Sequence, residues 1–264
     1  MNVIIIILAV FAIRTTIRMW TDVGAPESPA YLAYLRDLRR NLTVGIAIPL
    51  IAAVVAVVVS VVYASGPGSP VPARLQLPLD AIGGYGIIVG PLLALLVTEC
   101  AARRRAVRTA TLVARSLNDV VARPLSVCTA VVSVGAIVGC AIAASTDTTR
   151  ATVSIVAVAV GAVITVATVR LSLHRPDVDD QTPSDQWSRE GIATRAVALQ
   201  TALGFSALAA ASAILRNRFV LDGSPTATTV ADFAAIVFMC ATVASFSLFS
   251  RPQLARPLPL PARP

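Results

Sequence analysis

Two acidic residues lie inside apolar stretches that are long enough to cross a membrane, and they are the first candidates for chemistry. Asp232 is in the first turns of the stretch 228–249, and Glu99 is near the end of the stretch 82–102. Ionisable groups inside a bilayer are costly and commonly mark proton, ion or substrate sites. The sequence therefore offers Asp232 as a functional intramembrane acid near the outer face.

Both acids also have structural explanations. A helix dipole stabilises an acid near the helix N-terminus, and Arg216 or Arg218 at the end of the preceding stretch can pair with Asp232. Arg103 follows Glu99 by one helical turn, a spacing that favours an ion pair. Gln200, also inside an apolar stretch, is a candidate for a polar contact.

The other chemistry-bearing residue types form no catalytic or ligand-binding pattern. The four cysteines lie in apolar stretches without a CxxC pair, and the chain has neither an HExxH nor a GxSxG motif. These cysteines are Cys100, Cys128, Cys140 and Cys240. We therefore expect no metal site, no cofactor and no enzymatic activity.

The composition is that of a protein whose solvent is lipid. The 264 residues are 56% hydrophobic and only 14% charged, whereas soluble domains have about 25% charged residues. All 22 basic residues are arginine, and with the abundance of Ala, Val and Pro this indicates the codon bias of a GC-rich bacterial genome. The bacterial cytoplasmic membrane is the expected location.

Six stretches contain the roughly 20 mostly apolar residues that a membrane-spanning helix needs. They are 44–64, 82–102, 125–145, 152–171, 196–215 and 228–249. A seventh, 2–20, reaches that length only by including Arg14 and Arg18, whose side chains can extend to the interface. The sequence predicts an all-α, polytopic transmembrane helical bundle of seven spans, or of six if 2–20 does not cross.

The arginines predict how these spans are oriented, because short cytoplasmic loops carry the excess of positive charge. Alternate sides of the chain hold 18 and 4 arginines, and the C-terminus belongs to the richer side. We expect a cytoplasmic C-terminus and, with seven spans, an N-terminus outside. Residues 1–250 form one membrane domain, and the proline-rich tail 251–264 is expected to be a disordered cytoplasmic segment.

A short basic amphipathic helix is predicted ahead of the stretch 44–64. Ser28 and Pro29 are a favourable helix start, and leucines at three-residue spacing follow beside basic residues. Such a helix can lie on the inner leaflet before the chain enters the membrane.

A second basic cluster is expected to contact anionic lipid headgroups on the cytoplasmic face. It comprises Arg103, Arg104, Arg105 and Arg108. Lipid contact explains the net charge of +8 without nucleic acid as a partner, for which the chain has no supporting motif.

Small residues four apart recur within the spans and predict close helix packing. The glycines in this pattern are Gly86 and Gly90, Gly135 and Gly139, and Gly161. They serve either the packing of the bundle itself or contact with a second copy or another membrane subunit.

These patterns favour a non-catalytic membrane component or a subunit of a larger assembly. The alternative is a permease or transporter for an apolar or small solute, with Asp232 as its membrane acid. The almost purely aliphatic spans favour the first reading, because ion-coupled transporters normally carry several buried ionisable groups near the midplane.

The seven-span topology is tested by a reporter that is active only outside the cytoplasm. Fused to the N-terminus, it should be active, because the stretch 2–20 would then carry that end across the membrane. The same reporter fused to the C-terminus is the control and should be silent. Silence at both ends would leave six spans.

Overall fold

The computed structural model describes residues 29–65, 73–105, 121–174 and 183–250, and every regular element in these ranges is an α-helix. The helices are α1 (Pro29–Ser65), α2 (Ala73–Arg105), α3 (Arg123–Ala143), α4 (Thr148–His174), α5 (Pro183–Leu221) and α6 (Pro225–Ser250). All six are long and apolar enough to cross a membrane. The polytopic transmembrane helical bundle is confirmed for these six, whereas the predicted span 2–20 and the tail 251–264 lie outside the described residues.

The bundle is arranged around α5. In its candidate span 61% of the residues are buried, against 22% in each of α1, α3 and α6. α5 contacts α2, α3, α4 and α6, whereas α1 packs chiefly against α2 and α6 chiefly against α5. Stacked rings of Phe205 and Phe238, with centroids 6.3 Å apart, join α5 to α6.

The surface of α5 explains why four helices can surround it. A row of small side chains on this helix is buried almost completely: Ala196, Ala198, Ala202, Ala207 and Ala211. Short side chains let neighbouring backbones approach closely. The resulting van der Waals packing holds the helices together in lipid, where the hydrophobic effect does not. The outer faces of the surrounding helices are apolar and open, as at Val131 and Val134 of α3, which are 66% and 62% exposed.

The first helix differs from the sequence prediction. The basic segment after Pro29 does not form a separate helix but continues without a break to Ser65. Tyr34 and Leu38 are each only 5% exposed and belong to the core of the bundle. Leu35 also packs against this core, whereas Leu32 is 49% exposed, so only the later leucines of the row face the bundle.

The turn between α5 and α6 is closed by a Schellman motif, which needs a residue with positive φ. Gly223 has a φ of 67°, and its N–H donates to the Val220 carbonyl at 3.2 Å. The Ser224 N–H donates to the Phe219 carbonyl at 3.0 Å. Pro225 then starts α6, so α5 and α6 form a tight antiparallel hairpin.

The helices α1 and α2 meet backbone to backbone at a pair of glycines. A Cβ on Gly45 would lie 2.7 Å from the Gly90 carbonyl oxygen and 2.8 Å from the Ala94 Cβ. A Cβ on Gly90 would overlap the Gly45 carbonyl oxygen and lie 2.7 Å from Cγ of Pro49. Neither position can accept a larger residue unless the two helices move apart.

The other predicted packing glycines differ in their surroundings. Gly161 contacts Leu203 and Gln200 of α5, and a Cβ on Gly139 would lie 3.3 Å from Leu208 of the same helix. A Cβ on Gly135 would meet nothing within 4 Å, so Gly135 packs against none of the described helices. Gly86 is half-buried.

Replacing Gly90 by alanine should destabilise the bundle by about 1–3 kcal/mol, the usual range for overpacking a tight contact. The loss should appear as a lower unfolding free energy of the detergent-solubilised protein. Gly135→Ala is the matched control and should unfold like the wild type, because its Cβ meets no neighbour. Equal stability of the two variants would contradict the glycine contact between α1 and α2.

Candidate functional site

The structure places Asp232 at one end of the bundle, in an ion pair. Its Oδ1 lies 2.6 Å from Nε of Arg216, and the two side chains are 48% and 46% exposed. Of the two arginines offered by the sequence, Arg216 is the partner. The carboxylate is thus half-exposed, and it is neutralised by the helix that packs against α6.

The other charged side chains described at this end are also in ion pairs, and we call it the ion-paired end. Arg218 pairs with Asp222 at 3.7 Å, and Arg150 pairs with Asp147 at 3.6 Å. Asp147 also accepts a hydrogen bond from the Arg150 N–H at 3.0 Å, as an N-cap of α4. Exposed pairs of this kind contribute at most about 1 kcal/mol each, so they orient the turns rather than hold the bundle.

Glu99 lies towards the opposite end, between α1 and α2, and its surroundings correct the sequence interpretation. The side chain is fully buried, and its Oε1 accepts a hydrogen bond of 2.8 Å from the Tyr34 hydroxyl. Arg103 is exposed and forms no ion pair with Glu99 in the described structure. The expected pair within one helix is therefore replaced by a bond between two helices.

A second bond reinforces this contact about two turns further along α1, at the residue next to Glu99 on α2. The Asn41 Nδ2 donates to the Thr98 hydroxyl oxygen at 2.9 Å, and Thr98 donates to the Ala94 carbonyl of its own helix. The two bonds and the Gly45–Gly90 contact fix the register of α1 against α2. Buried polar groups that all bond across an interface specify one arrangement of the two helices.

Arg189 is a buried cation that the sequence analysis did not identify as a candidate. There it was only one of the 18 arginines assigned to the cytoplasmic side. The side chain is 2% exposed, and its NH1 donates to the Ser172 carbonyl at 2.9 Å. Ser172 is in the last turn of α4, where backbone carbonyls lack helical partners and a cation is favoured by the dipole. Arg189 thus joins the start of α5 to the end of α4.

Gln200 joins three helices near the middle of the bundle. Its Nε2 donates to the Ser133 hydroxyl of α3 at 3.1 Å and to the Val158 carbonyl of α4 at 3.2 Å. Gly161 lies near the centre of α4 and makes room for the Gln200 carboxamide, since a Cβ there would sit 2.5 Å from Oε1. The sequence named Gln200 as a polar candidate, and the structure gives it these partners.

Two buried oxygens at this depth have no hydrogen-bond partner among the described residues. They are Oε1 of Gln200 and Oγ1 of Thr165, whose side chains are 2% and 6% exposed. Thr165 follows Gly161 by one turn of α4. An unsatisfied buried polar atom costs roughly 1–3 kcal/mol, so a polar ligand beside Gln200 and Thr165 would gain hydrogen bonds.

The end that carries Glu99 and Arg189 also carries several exposed arginines, and we call it the basic end. Five of them form no ion pair with a described residue: Arg36, Arg40, Arg103, Arg123 and Arg170. Of the arginines predicted to contact lipid, Arg103 is in this group. The side chains of Arg104 and Arg105 and the whole of Arg108 lie outside the described residues. No group of three or more potential metal ligands occurs in the described part of the chain.

The mid-depth contact is tested by a double-mutant cycle on Gln200 and Ser133. Gln200→Leu and Ser133→Ala each remove one end of the bond, and we expect a coupling of about 0.6 kcal/mol, at most about 1.7, as for other hydrogen bonds between membrane helices. The measurement is the unfolding free energy in detergent. Pairing Gln200→Leu with Ser126→Ala is the control, because the Ser126 hydroxyl donates to the Arg123 carbonyl of its own helix and should give no coupling.

The chain was compared with protein-family models, with curated proteins and with solved structures, and none of the three comparisons gave a match.

Proposed function

We propose that this chain is a non-catalytic component of a bacterial cytoplasmic membrane, acting as a subunit of a larger membrane assembly. The strongest support comes from the groups to which the buried charged side chains bond. Glu99 and Arg189 are the charged side chains buried in the described bundle, and each bonds to a neighbouring helix. Groups that commonly carry transport or catalysis are here engaged in holding helices together.

The orientation proposed from the arginines agrees with the two ends of the bundle. The basic end would face the cytoplasm, where positive residues concentrate, and the ion-paired end would face outwards. The three described arginines of the ion-paired end, Arg150, Arg216 and Arg218, are all neutralised by aspartates. The described part of this end therefore carries little net positive charge, as expected for the side of a membrane protein that is translocated.

A partner helix would come closest at Gly135. This glycine is on the outer face of α3, where its missing side chain leaves a gap beside the exposed Val134 and Val138. β-branched side chains are already restricted in a helix, so ordering them against a partner costs little conformational entropy. The partner class is another membrane helix, from a different subunit or from a second copy.

Extraction into polymer discs that retain native lipid, followed by mass spectrometry, should show a stoichiometric companion or a dimer. Gly135→Leu should lower the occupancy of that companion several-fold without lowering thermal stability, because the added side chain meets nothing in the single chain. Val163→Leu is the matched control, since Val163 is 69% exposed on α4. A wild-type protein recovered only as a lone monomer would contradict the subunit role.

The permease is the second candidate, and the unpartnered oxygens of Gln200 and Thr165 favour it, because transporter sites commonly lie near mid-membrane. If the protein is a permease, Asp232→Asn or Gln200→Leu should abolish solute uptake while the protein still accumulates normally. Asp222→Asn is the control, because Asp222 is 59% exposed in the other pair of the same turn. Loss of uptake in either variant, with the control active, would replace the subunit role by transport.

A further inference from the structure

An open groove runs along the outer face of α3 from its first residue. It has a volume of about 540 Å³ and is largely open on its outer side. The described residues that line it are Arg123, Pro124, Val127, Cys128, Val131 and Val132. Its wall is almost entirely apolar, and Arg123 lies at the end where α3 begins.

The residues that line the groove follow one another along α3 from the basic end inwards, which is the course of an acyl chain in one leaflet. Arg123 begins α3 at the basic end, and Val131 is eight residues further along, about 12 Å at the rise of an α-helix. Cys128 lies between them and is exposed. A ligand that fits this wall needs an anionic head at the membrane surface and a hydrocarbon part that extends towards the middle of the bilayer.

The charge at the mouth of the groove is available to a ligand. Arg123 is exposed and forms no ion pair with a described residue, in contrast to the three arginines of the ion-paired end. No acidic residue occurs in the first turn of α3, and no side chain caps its N-terminus, so the helix dipole adds to the positive potential of the guanidinium. A guanidinium matches the geometry of a phosphate, with two parallel hydrogen bonds.

We propose that this groove binds one anionic phospholipid, with its phosphate on Arg123 and an acyl chain along Val127, Cys128 and Val131. A soluble anion would meet only one arginine and no other charged group of the lining, whereas a lipid also covers the apolar wall. A zwitterionic lipid fits the wall equally well but brings a cation close to Arg123. This site goes beyond the proposed subunit role and does not depend on it.

The experiment is lipid binding to the purified full chain, measured by native mass spectrometry. The wild type should retain one phosphatidylglycerol in preference to phosphatidylcholine. Arg123→Gln should weaken phosphatidylglycerol binding about fivefold, the usual effect of one arginine at an anionic surface. Arg170→Gln is the matched control, because Arg170 is exposed at the same end, forms no ion pair with a described residue and is not among the residues that line the groove. This variant should leave the bound lipid in place.

A second variant tests the apolar wall without changing charge. Cys128→Trp fills the groove and should displace the lipid while Arg123 remains, with thermal unfolding used to confirm that the bundle is intact. Glycerol phosphate is the soluble probe, and it should not compete at concentrations where the lipid is bound. Equal loss in the Arg123 and Arg170 variants, retention of lipid by Cys128→Trp, or competition by glycerol phosphate would each overturn the proposal.

Discussion

The bundle depends on the close approach of helix backbones to the alanine-rich surface of α5. Lipid is as apolar as the helix surfaces, so helices gain nothing simply by leaving it, and contact energy must come from packing. On α5 the small side chains that allow contact with four other helices include Ala196, Ala202 and Ala207. Where α1 crosses α2, the close approach of the two backbones is made possible by Gly45 and Gly90. Larger side chains at these places would separate the helices that carry every other described contact.

Polar bonds then determine which arrangement of the close-packed helices forms. Each end and the middle of the described bundle has its own set: Tyr34 with Glu99, Gln200 with Ser133 and Val158, and Arg216 with Asp232. A backbone or side-chain polar group left alone in hydrocarbon is costly, so each bond disfavours registers in which it is broken. Such bonds give specificity more than stability, because the unfolded chain in a membrane also finds polar partners.

The two ends of the bundle differ in a way that bears on function. The charged side chains described at the ion-paired end cancel one another locally, whereas the basic end has several arginines without described acidic partners. Unpaired cations beside an apolar surface attract ligands that are both anionic and hydrophobic, and phospholipids of the surrounding leaflet have this chemistry. A subunit that binds such a lipid on α3 and a partner helix at Gly135 would hold the lipid and the partner next to each other on one face.

The sequence by itself determined that the chain is an all-helical membrane bundle and located six of its helices. This was possible because the length and apolarity of a span are local properties, required by backbone hydrogen bonding in lipid. It also located Asp232, Gln200 and the glycine spacings. Only the tertiary structure decided that Glu99 bonds to Tyr34, which is 65 residues away, rather than to Arg103, which is one turn away. It likewise decided that Gly90 and Gly161 pack tightly while Gly135 stays open, because the rotation of each helix is set by its neighbours and leaves no trace in residue spacing.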